Sequence, residues 1–156
     1  MASVRRQAFA AIEAKLEIVR ALLDWRTLVI NPRGLMIGED QMNALVLFYG
    51  GDDEPEDLTG FVEQHRAGFS VGLVVMETGA ERAEDLLDAG FVAVSNAVVD
   101  PADIQLGGLV IDVRRGAMSP PFIGTSTSGA RIVGVQEIEF SMQYMAREGA
   151  AETPGP

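Results

Sequence analysis

Apolar and polar side chains alternate strictly near the end of the chain, and this alternation constrains the fold more than any other feature. Within residues 133–145, the apolar side chains are separated by Glu137, Glu139, Ser141 and Gln143. A period of two is that of a β-strand with one face on a core and the other in water or against a partner. The sequence therefore predicts a sheet that is covered on one side.

Residues 107–115 predict a preceding strand, and residues 116–131 predict a long loop that joins the two strands. The loop is rich in Pro, Ser, Thr and Gly. A connection of this length inside a compact domain is usually either functional or disordered. It is therefore one of the segments in which a functional role is expected.

An amphipathic helix is predicted over residues 4–23. Its apolar positions repeat at intervals of three and four residues, which places them on one helix face, and Ser3 precedes the helix as a suitable N-cap. The stripe consists of Phe9, Ile12, Leu16, Val19 and Leu23. A stripe of fewer than three heptads is more typical of packing on a sheet than of a coiled coil.

Three more strands and a second helix complete the pattern. The longest of these strands is expected to contain a bulge at Ala67 and Gly68. The strands span residues 26–30, 44–49 and 61–77, and the helix spans residues 80–99. The predicted fold class is α+β, with two helices packed on one face of a mainly antiparallel sheet of about five strands.

One face of this sheet has no predicted helix to cover it. It carries polar residues together with Val74, Met76 and Val110. Apolar side chains on an otherwise uncovered face suit a surface that packs against a neighbouring subunit. We assign the sheet and helices to a single domain, residues 1–148, and predict that residues 149–156 form a mobile tail.

The charge balance excludes several classes of function. The chain carries 12 basic and 23 acidic residues, a formal net charge of −11. Binding to a phosphate backbone needs Lys and Arg to displace counterions, so this balance argues against nucleic-acid binding. Cysteine is absent, which excludes disulfides and thiolate metal sites. No apolar run is long enough to span a bilayer and no signal peptide is recognised, so we expect folding in the cytoplasm without membrane contact.

The sequence offers no catalytic constellation, and neither an enzyme nor a cofactor nor a metal is predicted. His65 is the sole histidine, and the acidic residues 52–57 do not match the spacing of an EF-hand. Residues 124–131 have the glycine spacing of a phosphate-binding loop, but the Lys is missing and a strand follows in place of a helix. A small-ligand or anion-binding domain stays open as an alternative, with three arginines as donors: Arg114, Arg115 and Arg131.

Three segments carry a resemblance to a known family. They are the opening helix at residues 6–23, the apolar strand with its acidic loop at residues 44–54, and the closing unit at residues 110–144, within which residues 112–124 and 137–144 are most characteristic. In their order along nearly the whole chain they resemble the tail-terminator family of long-tailed phages and phage-derived gene transfer agents. Other head–tail connector or neck proteins have a similar order and are the nearest alternative.

The resemblance implies a structural virion protein that forms a homo-oligomeric ring, typically a hexamer, at the head-proximal end of the tail. Such a ring caps the tail tube, ends its polymerisation and provides the surface for head attachment, after assembly in the host cytoplasm. The implied partners are copies of the chain itself, the major tail-tube protein and a head–tail connector or stopper protein. DNA passes through the central hole without specific binding.

An acidic lumen suits the passage of DNA. Six copies at −11 each carry about −66 formal charges, and a negatively charged wall repels DNA in transit. We expect some acidic residues of the loop at residues 52–57 and of the last strand to line or rim the hole. These are Asp52, Asp53, Glu54, Glu56, Asp57, Glu137 and Glu139.

An apolar run lies inside the polar loop, at Pro120, Pro121, Phe122 and Ile123. Exposed Phe and Ile side chains call for burial, so we expect this run to order against an adjacent subunit or the tube. The alternative is that Phe122 and Ile123 fold back on the core of their own subunit. On the first interpretation, deletion of residues 119–128 weakens association and leaves a folded monomer.

Overall fold

The computed structural model describes residues 3–32, 37–52, 56–57, 62–126, 129, 131–147 and 150–154. Two helices and eight strands follow one another along these residues. They are α1 (Val4–Leu23), β1 (Thr27–Ile30), β2 (Ala44–Asp52), β3 (Glu56–Asp57), β4 (Val62–Met76), α2 (Ala83–Val98), β5 (Asp112–Met118), β6 (Phe122–Thr125), β7 (Ile132–Arg147) and β8 (Ala150–Pro154).

Two long antiparallel strands, β4 and β7, form the centre of the sheet. Their register runs without interruption from Val62 opposite Arg147 to Met76 opposite Val133. β2 and β3 pair in turn with the outer edge of β4, and β5, β6 and β8 pair with the outer edge of β7. β1 pairs parallel with β2. The predicted α+β class is confirmed, with eight strands, several of them short, in place of about five.

Both helices lie on one face of this sheet, and each buries one apolar stripe. The predicted boundaries of α1 are confirmed, and Ser3 caps the helix because its Oγ accepts the backbone N–H of Arg6 at 3.1 Å. The wholly or almost wholly buried side chains from the helices include Phe9, Ile12, Leu16, Val19, Leu87, Val94 and Val98. The sheet contributes Leu45, Leu47, Val71, Leu73, Ile138 and Met142.

A row of aromatic rings crosses the covered face of the sheet near the start of α1. Tyr49, Phe69 and Phe140 occupy facing positions on β2, β4 and β7. Phe69 and Phe140 stack with ring centroids 5.3 Å apart, and Phe9 of α1 stacks on Tyr49 at 4.2 Å. Each such pair contributes about 0.5–1.5 kcal/mol beyond the burial of its area, so the row fixes the position of α1 on the sheet.

The strand predicted at residues 107–115 begins later, at Asp112. Gly107 and Gly108 have φ values of 69° and 94°, a left-handed conformation that no strand residue adopts, and they lie in a 3₁₀ turn. Asp103 holds this turn: its Oδ1 accepts the N–H of Gly107 at 2.9 Å, and its Oδ2 lies 3.3 Å from Lys15 Nζ. The hydrogen bond from Gly107 and the contact with Lys15 keep the pKa of Asp103 below its ordinary value.

The bulge lies in β2, so its predicted position at Ala67 and Gly68, which belong to β4, was wrong. The register between β2 and β4 shifts between Tyr49 and Asp52. Within this stretch a Cβ on Gly50 would lie 2.6 Å from the carbonyl oxygen of Gly68. The two backbones therefore approach closely at a pair of glycines, which is where a bulge can form.

Secondary structure extends into segments that the sequence left irregular. Residues 116–118 continue β5, and Phe122–Thr125 form β6 within the predicted loop. Val110 was expected on the uncovered face, but it is 5% exposed and belongs to the core. Where a tail was predicted from residue 149, the backbone of Ala150–Pro154 pairs with β7; the division into a domain and a tail stays a prediction.

The second helix begins three residues later than predicted. Thr78 Oγ1 accepts the backbone N–H groups of Ala80 and Glu81, at 3.2 and 3.0 Å, and so forms a turn before the helix. Glu77 then accepts the N–H of Ala83, the first helical residue, at 3.2 Å. Glu77 thus satisfies one of the first N–H groups of the helix, which have no partner within the helix.

Gly90 marks the closest approach of α2 to Trp25, and its substitution tests this packing. A Cβ at Gly90 would lie 2.6 Å from Trp25 Cη2, and Trp25 is buried. We expect Gly90→Val to lower the free energy of unfolding by about 1–3 kcal/mol, because the added side chain displaces the indole. Urea denaturation followed by the fluorescence of Trp25, the only tryptophan, measures the loss.

The matched control is Ala89→Val, which introduces the same side chain at the adjacent exposed position of α2. It should cost less than about 1 kcal/mol, the difference in helix propensity between Ala and Val. Equal losses for the two variants would show that the close approach at Gly90 does not limit packing.

Candidate assembly surface

The face of the sheet opposite the two helices carries none of the described helices, and we call it the open face. The pairing register identifies its residues, because side chains at facing positions of neighbouring strands point to the same side. On β2, β4 and β7 they include Val46, Phe48, Ser70, Gly72, Val74, Met76, Val133, Val135, Glu137 and Glu139. The face is therefore apolar towards one end of the β4–β7 pair and polar towards the other.

The apolar end forms a groove of about 390 Å³, which we call the groove. Its apolar lining includes Val46, Phe48, Gly72, Val74, Val133 and Val135. Gly72 has no side chain and therefore leaves space at the centre of the groove. A Cβ at this position would lie 3.5 Å from Val46 Cβ. Phe48 and Val135 are each 39% exposed although they are apolar. Clustered apolar side chains at this level of exposure mark interaction sites more often than isolated ones do.

β6 divides the apolar run of the predicted loop between the two sides of the sheet. Phe122 lies opposite Val135 in register and is 68% exposed, so it extends the apolar end of the open face. Ile123 lies opposite Gly134. A Cβ on Gly134 would lie 3.2 Å from Ile123 Cδ1 and 3.0 Å from Cδ1 of Leu87 in α2, so Ile123 points to the helix side of the sheet. The two prolines, Pro120 and Pro121, are exposed before β6. A role for this run at an interface stays a prediction.

The predicted acidic residues of the lumen that belong to the described part of the chain begin at the groove margin and continue away from it along β4. Glu137 is opposite Gly72 at the groove margin, and Glu139 is opposite Ser70; both are exposed. Further along the same direction, β2 ends at Asp52, and Glu56 and Asp57 form β3, opposite Gln64 and Glu63. Asp53 and Glu54 lie outside the described residues. Their assignment to a lumen stays a prediction.

The three arginines of the anion-binding alternative do not converge. Arg114 lies on the open-face side of β5, where its Nε donates to Asp112 Oδ2 at 2.8 Å. The guanidinium of Arg115 lies over the ring of Phe91 at 5.1 Å, on the helix side. Arg131 is exposed just before β7. The arrangement of these three residues therefore does not form a common anion site.

The sole histidine is engaged within the subunit. His65 Nε2 lies 3.1 Å from Glu63 Oε2, and its ring stacks on Tyr144 with centroids 5.0 Å apart. In the described part of the chain, no group of three or more His, Cys, Asp or Glu side chains is arranged to hold a metal ion. Of the glycine-spaced segment at residues 124–131, Gly124 belongs to β6, and residues 127–128 and 130 lie outside the described residues.

No helix among the described residues has both the length and the apolar character of a membrane span.

The groove could not be predicted from the sequence, because its lining comes from β2, β4 and β7, which are distant along the chain. Two signals pointed towards it: the alternation of residues 137–144 indicated that one side of the strand lies away from the core, and Val74 and Met76 were predicted on the uncovered face, where the structure places them.

Two substitutions of the same kind, one on the open face and one in the core, should differ in their effect on the free energy of unfolding. We expect Val135→Thr to change the free energy of unfolding by less than about 0.5 kcal/mol, because the added hydroxyl stays hydrated. Val71→Thr, at a wholly buried position of β4, should cost about 1–3 kcal/mol, since its hydroxyl is placed in an apolar core. Urea denaturation of both variants measures the difference, and a comparable loss at Val135 would mean that the open face contributes to the core of the monomer.

Comparisons with known proteins show a likeness to solved structures. No model of a known protein family matches the chain, and no curated protein matches it. Among solved structures, a chain of the "Virion of native gene transfer agent (GTA) particle" is similar at 15% sequence identity and a TM-score of 0.49. The match covers 88% of this chain and 93% of that chain.

Proposed function

We propose that this chain is a structural protein of a virion and acts as a tail terminator. In this role it forms a ring on the completed tail tube, ends tube polymerisation and provides the surface to which the head attaches. The observation that carries the proposal is the open face, which exposes Phe48 and Val135 in the groove and Phe122 beside it. A two-layer subunit with such a face is suited to burying it against another protein.

The order of elements along the chain supports the same role. The resemblance to tail terminators rests on an opening helix, an apolar strand that leads into acidic residues, and a closing unit. In the structure these segments are α1, then β2, then the unit of β5, β6 and β7. The unit of three strands supplies Phe122 and Val135 to the open face, so the segment that most resembles the family also contributes to the candidate interface.

The distribution of charge supports a ring with an acidic hole. Glu139, Asp52 and β3 lie along β4 on the same side of the groove. A ring that buries the groove between its components can therefore leave the acidic end free to face the lumen. A wall of like charge keeps DNA from adhering during its passage.

A small-ligand binding domain is the second candidate, and the size of the groove favours it. A volume of about 390 Å³ is within the range of small-molecule sites, roughly 300–1,000 Å³. A ligand that binds only the folded state raises the melting temperature in proportion to the logarithm of its concentration. Thermal stabilisation by a metabolite, without any ring or tube binding, would favour this candidate over the tail terminator.

Assembly with the tail tube tests the proposal directly. We expect the purified chain, mixed with polymerising tail-tube protein from the same gene cluster, to form rings at tube ends and to stop tube growth. Negative-stain imaging gives tube lengths, and native mass spectrometry gives the stoichiometry. Unchanged tube lengths and no bound ring would contradict the proposal. Binding to the connector alone would favour a different head–tail protein.

Charge reversal tests the acidic lumen. We expect Glu139→Lys to increase DNA retention by assembled rings, because one negative charge near the hole is replaced by a positive charge in each subunit, and to do so most strongly at low salt. Glu81→Lys is the matched control, since Glu81 is exposed before α2 on the other side of the subunit. Retention is measured by filter binding at several salt concentrations. Equal retention by both variants would place Glu139 away from the lumen.

A further inference from the structure

A second apolar surface lies on the helix layer, on the opposite side of the subunit from the groove. On α1, Ile18 is 62% exposed and Leu22 is 79% exposed, the highest values for large aliphatic side chains among the described residues. They are four residues apart, so they stand on one face of the helix and form a single ridge. We call these two residues and the adjoining exposed Ala14 and Ala21 the ridge.

The ridge is separate from the stripe that α1 buries. Phe9, Ile12, Leu16 and Val19 already face the core of the subunit and are buried. The charges beside the ridge are engaged locally, since Arg20 Nη2 lies 2.7 Å from Glu17 Oε1 and Arg20 Nη1 donates to the carbonyl of Trp25 at 2.8 Å. These charged side chains therefore leave the ridge as an apolar, convex surface without a described partner in its own subunit.

The groove and the ridge complement each other in shape and polarity. The groove is concave and apolar, with Gly72 at its centre, and the ridge is convex and aliphatic. Helix-on-sheet packing already covers the opposite face of the same sheet, so a helix on the open face would give a helix–sheet–helix arrangement that is common in proteins. Because the two surfaces lie on opposite sides of the sheet, no subunit can fill its own groove with its own ridge.

We propose that the ridge of one copy docks in the groove of the next copy. The inference rests on the ring proposed above and deepens it by naming the two surfaces that meet. The contact is heterologous, with different surfaces on the two partners, and such contacts generate a closed ring when the rotation between copies fits. A two-fold contact of groove against groove would leave every ridge exposed, and therefore buries only one of the two apolar surfaces.

The absence of cysteine from the chain allows a direct test. Leu22→Cys places a thiol on the ridge, and Val135→Cys places one in the groove; Phe48→Cys is a second groove position with the same exposure. Val92→Cys is the control, because Val92 is 48% exposed on α2 away from the ridge. Each full-length variant is checked for folding by circular dichroism. Pairs of variants are then mixed at high concentration and treated with a short bis-maleimide, which captures even transient contacts.

We expect the mixture of Leu22→Cys with either groove variant to give about tenfold more cross-linked dimer than its mixture with Val92→Cys, because a specific contact raises the effective concentration of the two thiols. The double variant with Leu22→Cys and Val135→Cys should give a ladder of oligomers. Yields no higher than those of the control overturn the inference. Efficient cross-linking of Val135→Cys to itself alone also overturns it, in favour of the two-fold contact.

The same samples separate this inference from the proposed function. If the wild-type chain forms rings on tubes but the ridge and groove variants give no excess cross-linking, the ring uses other surfaces and the inference fails alone. If ridge and groove cross-link while no ring binds or stops tubes, self-association is supported and the tail-terminator role fails.

Discussion

The uninterrupted antiparallel pairing of β4 with β7 is the interaction on which the rest of the structure depends. Strands of this length extend about 50 Å at 3.4 Å per residue, whereas the 20 residues of α1 span about 30 Å. α1 is therefore much shorter than the strand pair on which it lies. Shorter strands complete the sheet on either side of the pair, with β2 and β3 along one edge and β5, β6 and β8 along the other.

The same pairing gives the sheet two faces of different character. Because side chains alternate along a strand, a register of fifteen residue pairs without a bulge keeps every apolar residue of the covered face on one side. In the described pairings, register shifts are confined to the flanking strands β2, β5 and β8, where these strands pair with the central pair. The central pair can therefore carry a core on one side and an interaction surface on the other.

Contacts at the start of α1 tie the helix layer to this sheet. Arg5 Nη2 donates to the carbonyl of Gly50 at 2.7 Å, and Arg6 Nη1 donates to the hydroxyl of Tyr49 at 2.8 Å. Together with the stacking of Phe9 on Tyr49, they anchor the helix to the end of β2. β2 also lines the groove through Val46 and Phe48. β2 therefore links the position of the ridge on α1 to the position of the groove. An assembly built on a contact between these two surfaces requires that their relative position is the same in every copy.

The sequence by itself determined the features that depend on near neighbours: the ends and N-cap of α1, the alternation in β7 and the α+β class all follow from short-range periodicity. The start of β5, the strand β6, the bulge opposite Gly68 and the burial of Val110 were decided only by tertiary structure. Each depends on which backbone lies alongside, and the groove depends on three strands that are distant along the chain. Local pattern shows that a strand has an outward side, but only the packed sheet decides which outward side chains come together.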